Sequence, residues 1–181
     1  MALTLTGDGD ITGLSVGALP ADVIGAGAIL QVQSTYLTSA TQLTSAGALH
    51  ELSTSLRLSI TPKSASSILY LEFYASFVSP QSNALQYAAF YDVTASAYVN
   101  LPPSSGSRQR VHWFKRTTLF DINDADDMYF SISVASSSTS SRTYTIYHGN
   151  EGQTNQFLSS TLSTTSGATY PILFKITEIA Q

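Results

Sequence analysis

The stretch Ile68–Val78 carries two apolar faces where most surface strands carry one. Its odd positions, Leu69, Leu71, Phe73, Ala75 and Phe77, share one side of a strand of period two and read as a core face. Its even positions are Ile68, Tyr70, Glu72, Tyr74, Ser76 and Val78, and four of these six are apolar or aromatic where a half-buried strand has its wet side. Either a second sheet of the same chain covers the even face, or another copy of the chain does.

The same period recurs in short runs rich in Tyr, Val, Ile and Thr from Ile29 to the end of the chain. Strands are predicted at Ile29–Leu37, Glu51–Ile60, Ile68–Val78, Leu85–Asp92, Arg110–Asp121, Met128–Ala135, Thr143–His148, Gln156–Leu162 and Ile172–Ile179. Ser, Gly, Asn and Pro clusters separate them. No window sustains a 3.6-residue apolar period over three turns, and β-branched and aromatic residues dominate the apolar positions, so helices are not expected. The strand count predicts an all-β, jelly-roll-like two-sheet sandwich. Residues 1–28 differ: they are Gly-rich, with only small or aliphatic apolar side chains, and cannot build a core. They are read as an N-terminal arm, with an Asp8-Gly9 hairpin turn between Leu3–Thr6 and Asp10–Thr12 and one helical turn after Pro20. Residues 29–181 form the head domain.

Composition narrows the function. Charged residues make up 11% of the 181, well below the roughly 25% of ordinary soluble domains. Ser and Thr fill the polar positions instead. Hydrophobic residues reach 43%, with ten Tyr and eight Phe, so the chain folds. A net charge of -4 and scattered basic residues offer no field for phosphates, and no nucleic-acid partner is expected. There is no Cys, no basic-then-apolar leader and no apolar run of roughly 18 residues, so neither a disulfide framework nor membrane insertion is expected.

Candidate chemistry is sparse. Gly13-Leu14-Ser15-Val16-Gly17 matches a nucleophile elbow, with Asp92 and His148 following in hydrolase order. An elbow needs a buried strand before it and a helix after it, and Ser15 lies in the Gly-rich arm, so no catalytic residue and no enzyme is expected. Asp121–Asp127 gathers four acids, but Ala125 and Ile132 stand where a calcium loop needs ligands, which favours a solvated loop. His50, His112 and His148 share no metal-ligand spacing, so no metal or other cofactor is expected. Arg108–Arg116 joins the single Trp to the densest basic run. It reads as a strand with Trp113 in the core and wet cations, or as a ligand or partner contact made by Arg108, Arg110 and Trp113.

Three separated stretches carry a resemblance: Gly27-Ala28-Ile29-Leu30-Gln31-Val32, Ile60-Thr61-Pro62-Lys63-Ser64-Ala65-Ser66-Ser67-Ile68-Leu69, and Phe174-Lys175-Ile176-Thr177-Glu178-Ile179-Ala180. Together they resemble the C-terminal head domain of tailed-bacteriophage fibre proteins, particularly those of phages of cyanobacteria and other aquatic bacteria. The resemblance implies a jelly roll similar to tumour-necrosis-factor and C1q heads, forming a homotrimer on the virion surface. It implies no catalytic residue. A cyclic trimer would bury the even face, with Ile68, Tyr70, Tyr74 and Val78 at the interface. The expected partners are other virion proteins, reached through the arm, and a host surface glycan bound by loops. The expected function is a short trimeric tail fibre or spike, with a trimeric capsid decoration protein as the alternative and an esterase or depolymerase, which has only Ser15 and some acids behind it, as the third and least favoured reading.

Overall fold

The computed structural model describes residues 4–5, 11–12, 25–37, 41–43, 48–78, 85–104, 106, 109–116, 126–150, 155–158 and 172–181. Its strands are β1 (Thr4–Leu5), β2 (Ile11–Thr12), β3 (Ile29–Leu37), β4 (Thr41–Leu43), β5 (His50–Glu51), β6 (Leu58–Ile60), β7 (Ile68–Val78), β8 (Leu85–Asp92), β9 (Ala97–Tyr98), β10 (Trp113–Arg116), β11 (Asp126–Ala135), β12 (Arg142–Asn150), β13 (Asn155–Leu158) and β14 (Ile172–Ile179). All pairings are antiparallel. In the first sheet β7 is central, with β11 on one side and β14, then β3, on the other; β13 and β4 extend that second side along the end of β7. The second sheet runs β10, β8, β12, then β5 and β6 in line, with β9 beside the end of β8. Apart from the steps from β8 to β10 and from β13 to β14, successive strands of four or more residues from β7 onward alternate between the sheets, as in a jelly roll.

The parity of β7 is as its pattern predicts. Leu69, Leu71, Phe73 and Ala75 are fully buried. Phe130 and Phe174 lie opposite Phe73 on the two neighbouring strands, so three Phe form one row across the first sheet. Phe90 enters from the second sheet, its ring centroid 4.6 Å from Phe130 and 5.8 Å from Phe174. Offset and tilted rings at this spacing add to the burial itself.

Several expected boundaries shift. The strand predicted over Glu51–Ile60 is broken by a 3₁₀ turn, Thr54–Leu56. The Ser53 hydroxyl accepts from the Ser55 N–H at 3.2 Å, and the turn carries Leu56 into the core. The strand predicted from Arg110 begins at Trp113, and the Arg110 guanidinium donates to the carbonyls of Leu101 and Pro102. The short strands β4 and β9 carry too few residues to show a period. In the arm, Thr4 pairs with Thr12 and Leu5 with Ile11, an antiparallel pairing of the two expected segments but one residue out of the register of a two-residue Asp8-Gly9 turn, which would set Leu5 opposite Thr12. The helical turn expected after Pro20 lies outside the described residues.

The three stretches that carry the family resemblance meet at one carboxylate. Glu178 is fully buried on the core-facing parity of β14. Its Oε1 accepts from the Lys63 N–H (2.8 Å), the Ser64 N–H (3.2 Å) and the Ser67 hydroxyl (2.6 Å). Its Oε2 accepts from the Gln31 amide at 2.6 Å. Gln31 also donates to the Thr61 carbonyl at 2.7 Å. Beside this clasp Gly27, at a φ of 86° that favours glycine, donates its N–H to the Ala180 carbonyl, and the Ala180 N–H donates to Ala28, both at 2.9 Å. Burial pushes the Glu178 carboxyl up, but the bonds from Ser67, Gln31, Lys63 and Ser64 outweigh it and hold the group below its ordinary 4.5.

Glu178→Gln turns an amide NH₂ toward donors, and we expect it to cost roughly 2–3 kcal/mol at neutral pH in urea unfolding. The native pKa lies below the unfolded one, so the ionised group stabilises the fold above pH 4.5, and that contribution fades as pH falls through the native value. The stability gap between wild type and variant should therefore narrow below pH 4.5; a gap that stays constant would remove the carboxylate from this role.

Candidate functional site

The outer face of the first sheet is the surface that the even positions of β7 create. Register places its side chains in four rows running across β11, β7, β14 and β3. The first is aromatic: Tyr129, Tyr74, Leu173 and Tyr36. The second is charged at its centre: Ser131, Glu72, Lys175 and Ser34. The third is Ser133, Tyr70, Thr177 and Val32, and the fourth is aliphatic: Ala135, Ile68, Ile179 and Ile29. A β-bulge between Glu178 and Ile179 skips Leu30 and puts Ile29 in register with Ile179.

Ile68, Tyr70 and Tyr74 are half-buried by their neighbours on this face. The side chain of Val78, the fourth residue expected there, lies outside the described residues. Five large apolar side chains are exposed among the described residues: Ile29, Val32, Tyr36, Phe114 and Tyr129. Four of them, all but Phe114, stand on this one face. Scattered exposed apolar residues are normal; a contiguous set rimmed by polar groups marks an interaction surface. The sequence reading found the β7 part of the face and missed the contributions of β3 and β11. Val32 and Tyr36 do alternate with Ser34, but nothing in the sequence states that their strand joins β7 through β14.

Several polar groups on the face are paired within the chain. Lys175 Nζ lies 2.6 Å from Glu72 Oε2, and the neighbouring carboxylate holds the ammonium above its usual range. The Tyr70 hydroxyl donates to Ser131 at 2.8 Å and the Tyr74 hydroxyl to Asp127 at 3.3 Å. Asp127 is thus the described end of the acidic stretch, and it serves a tyrosine; residues 121–125 lie outside the described residues.

The other candidates are placed elsewhere. Arg108 lies outside the described residues. The exposed Arg110 pins the Leu101 and Pro102 carbonyls at 3.1 and 2.6 Å. Trp113 is partly buried and packs against the core, so Arg110 and Trp113 point to different surroundings. His112 immediately precedes β10 and accepts the Phe90 N–H on Nδ1 at 3.0 Å. Of the hydrolase-order residues, Asp92 is ion-paired with Arg142 and stands opposite Tyr144, whereas His148 stands opposite Ala88. Four residues of extended strand, about 13 Å, separate them. His148 is buried, and burial depresses its pKa to about 3, so it is neutral at physiological pH. Ser15 lies outside the described residues. Among the described residues no group of three or more His, Cys, Asp or Glu is arranged to hold a metal, and no helix is long and apolar enough to cross a membrane.

No protein-family model and no curated protein matches the chain. Among solved structures it is similar to a chain in the structure of infectious bursal disease virus Gx strain, at 13% identity and a TM-score of 0.38. The match covers 83% of this chain and 37% of that one, so this chain spans little more than a third of its length.

The parity of β7 sets a paired test. Phe73→Lys puts an unpaired ammonium into the core row and should abolish cooperative unfolding, since such a burial costs several kcal/mol. Tyr74→Lys should leave each chain folded by circular dichroism and impair only self-association in light scattering. A Tyr74→Lys chain that associates as wild type does would place the contact surface elsewhere.

Proposed function

We propose that this chain is a non-enzymatic structural component of a virion. In this reading it forms a jelly-roll head that assembles as a homotrimer through the outer face of the first sheet, on the surface of the particle. The observation that carries the reading is the collection of Ile29, Val32, Tyr36 and Tyr129, all exposed, on the same face as Ile68, Tyr70 and Tyr74. Closed cyclic symmetry turns such a face into buried interface without leaving an open edge for further growth. The resemblance to phage fibre heads, drawn from three sequence stretches, supports the same assembly and the setting.

Within that class the reading is a short tail fibre or spike. The arm, residues 1–28, attaches to other virion proteins, and the loops at the head's end bind a host surface glycan. Three copies multiply weak single-site contacts through effective concentration, which suits reversible adsorption.

Light scattering at micromolar concentration should return the mass of a trimer; a monomer would overturn the assembly. Quantitative mass spectrometry of purified particles then separates the two virion roles. A few copies per particle are expected of a fibre, and hundreds would make the chain a decoration protein of the shell.

A further inference from the structure

The charged row is out of character with the face around it. The aromatic row lies on one side and the mixed row of Ser133, Tyr70, Thr177 and Val32 on the other, yet Glu72 and Lys175 stand directly opposite each other on β7 and β14 and pair at 2.6 Å. The Tyr129 hydroxyl donates to the second Glu72 oxygen at 3.4 Å, and Ser131 and Ser34 complete the row.

We infer that the Glu72–Lys175 pair sets the register and the stoichiometry with which copies of this chain pack on the face. The inference rests on the reading above that a second copy covers it. Apolar burial is non-directional, so the Tyr and Ile rows alone would accept a copy shifted along the strands, or an unrelated apolar surface. A charged row does not. Placed under an apolar row, both ions would lose water with nothing to replace it, and that register is rejected. The row carries both signs in one chain and is neutral as a whole, so a symmetry-related copy presents a surface complementary to it in charge. A wholly apolar partner would not. Serine and tyrosine hydroxyls beside the pair supply donors and acceptors for the remaining positions of the carboxylate and ammonium.

The test compares Glu72→Met, Lys175→Met, the double Met variant and the exchanged pair Glu72→Lys/Lys175→Glu, read by native mass spectrometry and light scattering with circular dichroism as the folding check. Each single substitution should weaken association at least ~100-fold, because it leaves one buried ion without its partner. The fold itself should change little, since a half-exposed pair contributes little to an isolated chain. The double Met variant should associate again but over more than one stoichiometry, and the exchanged pair should return the single wild-type stoichiometry. Should the single variants fail to fold, the double Met and exchanged variants still decide between the outcomes. A wild-type oligomer indifferent to the single substitutions, or a double Met variant with one stoichiometry, overturns the inference alone. A monomeric wild type overturns the assembly reading and the inference together.

Discussion

One buried carboxylate organises the sheet on which everything else depends. The Glu178 carboxylate is held by backbone and side-chain donors from the 61–67 loop, which ends in Ser67 just before β7, and from Gln31 on β3. Burying an ion is tolerable only when its lone pairs are filled, and here they are filled by groups that must be in one place to do it. The same loop reaches β11: the Ser136 N–H donates to the Ser67 carbonyl and the Ser136 hydroxyl to the Ser64 carbonyl. The clasp therefore ties together the ends of β3, β14, β7 and β11, the four strands that make the outer face.

Fixing those ends fixes register, and register decides which side chains are inside. A one-residue slip in a strand of period two would exchange Phe73 for Tyr74 and send the aromatic core row to the surface. With the clasp in place, Phe73, Phe130 and Phe174 point inward to receive Phe90, and Tyr74, Tyr129 and Tyr36 point outward in a matching row. Core and candidate interface are two sides of one constraint. The bulge at Glu178 serves the same end, since Gln31 must reach the carboxylate while Ile29 joins the aliphatic row.

The second sheet plays a different part. It contributes Phe90, Ile146, Tyr144, Leu58 and Ile60 to the core, and its buried Asp92 accepts from the Ala95 N–H and pairs with Arg142. Its edge strand β10 holds Trp113 against the core and leaves Phe114 outside.

The sequence by itself determined the class of fold and the bounds of four strands, while β11 and β12 run one or two residues beyond the ends expected for them. Ile29–Leu37, Ile68–Val78, Leu85–Asp92 and Ile172–Ile179 are runs of apolar and β-branched residues bounded by turn formers, and in Ile68–Val78 the two-residue period, which depends only on local backbone geometry, is plain. It also determined that the even face of β7 is apolar. Phe174, Ile176, Glu178 and Ala180 share one parity, so a carboxylate among core residues was written in the chain as well, though its donors were not. Only the tertiary structure decided who meets whom. Gln31, Lys63 and Ser67 are far from Glu178 in the chain, and Tyr36, Tyr129, Glu72 and Lys175 come from four different strands. Which strands are neighbours is set by the packing of the whole sandwich, a non-local free energy that no periodicity within one strand encodes.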